Sequence, residues 1–117
     1  MGGARFKLKL YWQARDIIAE DFTVFAQVLG PDDGVIGQHD SIPANGTLST
    51  TTWQPGEIVP DRHQIDFPTA QPGEYRLIVG MYDPTTGARL PIVASDGTTP
   101  LGDFAQLYTF TIQGNQE

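Results

Sequence analysis

Apolar residues in this chain come in short runs that alternate with polar ones, and each run is soon closed by proline, glycine or aspartate. That punctuation leaves no room for a long helix, whose apolar stripe recurs about every 3.6 residues over several turns. The clearest run is ARFKLKLYWQA. In it Phe6, Leu8, Leu10 and Trp12 fall on one face and Arg5, Lys7, Lys9 and Tyr11 on the other, the period of a half-buried strand.

The rest of the chain repeats the pattern. DFTVFAQVL (21–29) is rich in β-branched and aromatic residues and runs into GPDDG, which supplies the dihedrals of a tight hairpin; VIGQHD (35–40) is the return strand. Residues 41–57 lack periodicity and read as a long connection with one short strand around Leu48 to Trp53. IVPDRHQIDF (58–67) follows as a strand entered through proline. TAQPGEYRLIVGMYD gives a turn and a strong strand with Tyr75, Leu77, Val79 and Met81 in phase. DPTTG is a hairpin turn and ARLPIVA (88–94) its return strand, Pro91 suiting an edge or a bulge. SDGTTPLGD reads as loop and FAQLYTFTI (104–112) as the closing strand. Seven to eight short strands with turn chemistry between them predict an all-β antiparallel sandwich of the immunoglobulin or fibronectin III kind. A single domain over residues 4–113 is expected, with a lead-in at 1–3 and a tail at 114–117.

Composition narrows the function classes. The absence of cysteine excludes a disulfide framework, a thiolate metal site and a cysteine nucleophile. No apolar run approaches the roughly 20 residues that span a bilayer. Fourteen acids against seven bases give a net charge of −7, and four of the bases (Arg5, Lys7, Lys9, Arg15) sit near the N-terminus. A surface of that sign repels phosphate backbones and anionic membranes, so no nucleic-acid partner is expected. No serine nucleophile elbow, phosphate-cradling glycine loop or basic stripe is present, and no cofactor is implied.

Three groups of residues are candidates for a site. Asp61 and His63 share a face of the 58–67 strand with Val59, Ile65 and Phe67, and a carboxylate beside an imidazole serves a structural hydrogen bond at a strand end, the binding of a ligand, or general-base chemistry. The other histidine, His39, has no metal-ligand spacing to it. Tyr11, Phe25 and Tyr82 lie out of phase with the apolar sets around them; they are either exposed rings able to stack on sugars or rings on a central strand covered on both faces. Asp32, Asp33, Asp83, Asp96 and Asp103 sit in loops, where sandwich domains can hold calcium, but each stands beside turn residues and the DxDxDG spacing is missing, so no metal site is expected. Asn45-Gly46-Thr47 matches an N-glycosylation acceptor and, more simply, a turn. Trp12 and Trp53 are core candidates.

Taken together, LKLYWQA (8–14), FTVFAQVLGPDDGVIGQHD (22–40), WQPGEIVPDRHQIDFP (53–68), PGEYRLIVGMYDPTTGARLPI (72–92) and PLGD (100–103) resemble a β-sandwich region at the C-terminal end of large bacterial membrane proteins similar to glycosyltransferase family 39 or dolichyl-phosphate-mannose mannosyltransferases. The resemblance implies an extracytoplasmic accessory domain of a cell-envelope protein, appended to a membrane-embedded chain, and carries over no catalytic residue. In that pattern further residues precede the LYWQA strand, so this strand is expected either to stand complete or to leave an open edge able to pair in a homodimer. The expected function is non-catalytic binding of a glycan or protein. The alternatives are a protease-inhibitor-like sandwich presenting the 41–57 loop and a small hydrolase using Asp61 and His63.

Overall fold

The structure, a computed structural model, describes residues 3–114; positions 1–2 of the expected lead-in and 115–117 of the expected tail lie outside the described residues. Among the described residues eight strands form: β1 (Gly3–Gln13), β2 (Thr23–Leu29), β3 (Val35–Ser41), β4 (Ile58–Pro68), β5 (Gly73–Tyr82), β6 (Ile92–Val93), β7 (Pro100–Gly102) and β8 (Ala105–Ile112). They make an all-β antiparallel sandwich. One layer is the four-stranded sheet β3-β2-β5-β8, the other the ribbon β1-β4, and β6-β7 is a small separate hairpin.

The period of two decides which face each strand buries. Along β4, Val59, Asp61, His63, Ile65 and Phe67 are buried, while Ile58, Pro60, Arg62, Gln64 and Asp66 are exposed. β1 pairs with β4 over its whole length, from Gly3 opposite Pro68 to Gln13 opposite Ile58. Its inward residues Phe6, Leu8, Leu10 and Trp12 are only half-buried, because β1 is the rim of its layer. Toward one end, Ile65 and Phe67 pack with Ala26, Val28, Tyr75, Leu77 and Val79, and the rings of Phe6, Phe67, Tyr75 and Phe110 pack together, stacked, tilted or edge to face, at centroid distances of 5.4 to 6.2 Å. Toward the other, Ala14, Val24, Trp53, Val59 and Met81 form a second cluster. Each of the valine, leucine, isoleucine, phenylalanine and methionine side chains among these, fully buried, contributes roughly 1.5–3 kcal/mol.

Gly37 on β3 sets how closely the layers approach. A Cβ there would lie 2.6 Å from the Asp66 carbonyl oxygen and 2.9 Å from Ile65 Cγ2, so only a bare backbone lets β3 close against β4.

Three expectations change. The short strand around Leu48–Trp53 is instead a 3-10 turn at Thr50–Thr52, because the fully buried Thr50 hydroxyl donates to Glu20 O and accepts from Phe22 N, pulling the segment out of any ladder. The ARLPIVA strand shrinks to a single bridge, Tyr82 to Arg89, and the two residues of β6; Pro91 between them has no N–H to donate. SDGTTPLGD, read as loop, supplies β7. Its turn is closed by Asp96, which accepts from Thr98 N, Thr99 N and Thr99 Oγ1.

Candidate functional site

Between its two apolar clusters, β4 inserts a polar pair into the interior. Asp61 is 0% exposed and its carboxylate accepts from three donors. Trp12 Nε1 on β1 reaches Oδ2 at 3.0 Å, His63 Nε2 reaches the same oxygen at 2.7 Å, and the backbone N–H of Ala44 reaches Oδ1 at 2.9 Å. Burial alone would push this carboxyl up, but the bonds from His63, Trp12 and Ala44 together outweigh it and hold it below the ordinary value of 3.8. Asp61 is therefore a carboxylate at neutral pH, and the three donors are what make its burial tolerable.

The array continues to the edge of the domain. His63 Nδ1 lies 2.8 Å from His39 Nδ1 on β3, with the rings edge to face. With Asp61 fixing the proton on His63 Nε2, the neutral pair places His63 Nδ1 as acceptor and His39 Nδ1–H as donor. His39 Nε2, on a half-buried ring, then carries the remaining lone pair. The two Nδ1 atoms point at each other and not at a common point, which is hydrogen-bond geometry and not that of a shared metal. Among the described residues no group of three acidic or histidine side chains could hold an ion.

Ala44 belongs to the array through backbone strain. In the turn Pro43–Gly46, Ala44 (φ 58°, ψ 47°) and Asn45 (φ 57°, ψ 39°) are both left-handed, a conformation that costs an alanine roughly 1–2 kcal/mol. The bond to Asp61 holds Ala44 there, and Thr47 Oγ1 donates to its carbonyl. Asn45-Gly46-Thr47 is thus a turn anchored from inside, as expected of an Asn-Gly pair. The rest of the long connection is tied down too: Pro43, Thr50 and Trp53 are buried, Trp53 Nε1 donates to Leu48 O, and Gly56 N donates to Ala14 O.

Among the described residues no hydroxyl hydrogen-bonds to His39, and Ser41 Oγ, two residues on in the same strand, is buried without a partner. Nothing in the structure explains that orphaned hydroxyl.

The three rings have separate fates. Phe25, expected among the exposed ones, is 1% exposed: it packs with Leu29 and Ile78 on the outer face of the four-stranded sheet, under Tyr82 and Phe104, with the Arg89 guanidinium 4.2 Å above its ring. Both faces of β2 are covered, because the segment after β5 folds back over it. Tyr82 is half-buried and donates its hydroxyl to Asp40 at 2.9 Å; burial and the neighbouring carboxylate raise its pKa. Tyr11 alone stands out from the surface, 62% exposed, with Lys9 Nζ 5.2 Å from the ring centre. Trp12 and Trp53 lie in the interior clusters as expected.

The loop acids are engaged one by one. Asp32 and Asp83 accept from backbone N–H groups two residues on, and Asp33 and Asp103 pair with Arg76 and Arg89. Asp96, held by its hydroxyl and backbone bonds from Thr99 and Thr98, is brought down to about 2.

A groove of about 480 Å³ lies against the ribbon at the histidine array. Residues 7–9 of β1 and 62–64 of β4 line it, with His39 and Asn45. No family model matches this chain, and no curated protein or solved structure shows significant similarity to it.

Proposed function

We propose that this domain is a non-catalytic accessory module of a cell-envelope protein, and that it binds a glycan on the outward face of the β1-β4 ribbon. The observation that carries the reading is Tyr11, a ring 62% exposed with Lys9 beside it on the outward face of the ribbon, where the apolar face of a pyranose could stack. The internal use of Asp61 and His63 supports a binding role over hydrolysis, since the carboxylate's three partners hold the fold together. The extracytoplasmic setting rests on the resemblance of the sequence to accessory regions of membrane glycosyltransferase-like proteins. Transmembrane helices encoded upstream in the parent reading frame are expected.

The test is a glycan panel read by binding isotherms on the wild-type domain and on Tyr11→Ala. Saturable binding that the variant loses supports the reading; a flat response across the panel, or binding indifferent to Tyr11, overturns it.

A second reading, recognition of a protein strand or a second copy, is favoured by the backbone edge of β1, which among the described residues pairs with β4 alone. Sedimentation of the isolated domain across a concentration series separates self-pairing from a monomer.

A further inference from the structure

The ribbon face gathers three of the four bases that hold no carboxylate among the described residues, the fourth being Arg15. The chain has seven bases for fourteen acids. Arg5, Arg76 and Arg89 each hold a carboxylate, Asp66, Asp33 and Asp103 respectively. Lys7, Lys9 and Arg62 hold none among the described residues, and all three line the same groove. The strand register puts Lys9 directly opposite Arg62, with Lys7 opposite Gln64. Like charges facing each other across a strand pair are destabilising. One step along the ribbon, Arg5 faces Asp66 and pairs with it at 2.7 Å, so the same scaffold accommodates the neutral arrangement where it is used.

We infer that this groove is an oxyanion site, taking a carboxylate, phosphate or sulfate group between Lys7, Lys9 and Arg62. An anion seated there would relieve the Lys9–Arg62 repulsion. It would meet a planar guanidinium suited to two-pronged contact with such a group and two ammonium charges. The Gln64 and Asn45 amides add neutral donors. The wall bearing His39 and Asn45 is positioned from behind, by His63 and by Asp61 acting through Ala44. Tyr11 borders the cations, so the ligand expected is an acidic saccharide, a sugar ring on Tyr11 with its anionic group among the bases. In that last step the inference rests on the glycan reading; the anion site itself does not.

The test is an amide-resolved NMR titration of the ¹⁵N-labelled domain with inorganic phosphate, glucuronate and, as a neutral control, glucose, repeated on K7Q/K9Q/R62Q. These side chains point outward, so the variant is expected to keep the wild-type spectrum elsewhere. The inference predicts saturable shifts centred on residues 7–9, 39, 45 and 62–64 with phosphate and glucuronate, and affinity at least about tenfold lower in the variant. It also predicts marked weakening as ionic strength rises from about 0.01 M to about 0.15 M, where the Debye length falls from about 30 to about 8 Å. Phosphate and glucuronate binding alike indicates a site for the anionic group; glucuronate much tighter than phosphate indicates the sugar as well. Shifts that stay linear with concentration, or that persist in the variant, overturn the inference. Glucose and glucuronate binding equally on the ribbon overturns it while leaving the glycan reading intact, and phosphate binding without any sugar response does the reverse.

Discussion

Replacing Asp61 with asparagine keeps the side-chain shape and removes the charge, which isolates what the buried carboxylate does. Asparagine can still accept from Ala44 N through its oxygen. Its NH2 group must then take the place of Oδ2, where Trp12 Nε1–H and His63 Nε2–H both point. The histidines can answer by changing tautomer; the indole, a donor only, cannot. An unsatisfied buried donor costs roughly 1–3 kcal/mol and the lost charge assistance adds to it, so D61N is expected to lower unfolding free energy by about 2–4 kcal/mol, and D61A by about 3–5 kcal/mol. In a domain whose total stability is of order 5–15 kcal/mol, that is a large share. Urea unfolding followed by tryptophan emission reads it as a lowered midpoint at constant slope. The pH dependence adds an independent check. Because the folded carboxyl titrates below 3.8, the unfolded state binds the proton more tightly. Asp61's contribution is therefore fully present above that value and is lost as pH falls through the folded pKa. Asp66 and Asp96 are lowered too, so acid weakens both proteins, but the gap between wild type and D61N should narrow as the pH drops below about 4. A D61N domain within about 0.5 kcal/mol of wild type at neutral pH would refute the structural role assigned to the array.

Other consequences are smaller but as specific. Gly37→Ala should cost about 1–3 kcal/mol by forcing β3 away from the Asp66 carbonyl, measurable in the same unfolding assay. Trp53→Phe removes the donor to Leu48 O and should cost about 0.5–1.5 kcal/mol, while limited proteolysis shows faster cutting within 41–57. Long-range ¹H–¹⁵N spectra of the neutral pair should show the proton on Nε2 of His63 and on Nδ1 of His39; the opposite tautomers would contradict the direction given to the array.

Legibility in the sequence followed the range of the interaction. The alternation in ARFKLKLYWQA and IVPDRHQIDF gave both faces of the ribbon, including Asp61 and His63 on the inward side, because side-chain direction in a strand is a local property. Phe25 was ambiguous for the opposite reason: its cover comes from Arg89 and Phe104, far along the chain, and periodicity says nothing about what folds over an outer face. The strand expected at Leu48–Trp53 gave way to Thr50's bonds to Glu20 and Phe22, again a long-range tie. The site itself was half legible. His39 meets His63 only because β3 closes over β4 at Gly37, and Arg62 meets Lys9 only through a β1–β4 pairing that skips two intervening strands. The alternation set Arg5, Lys7 and Lys9 on the outward face of β1, but their convergence with Arg62 depends on the long-range register.

The central claim is that the interior array is structural and that binding occurs on the ribbon above it. A crystal structure of the domain grown with a glucuronate-containing oligosaccharide tests it most directly. The account predicts a sugar ring stacked on Tyr11 with its carboxylate between Lys9 and Arg62, and an unmoved Asp61–His63–His39 array. A sugar bound instead on the face bearing Tyr82 and Arg89, or an empty ribbon at saturating ligand, would contradict it.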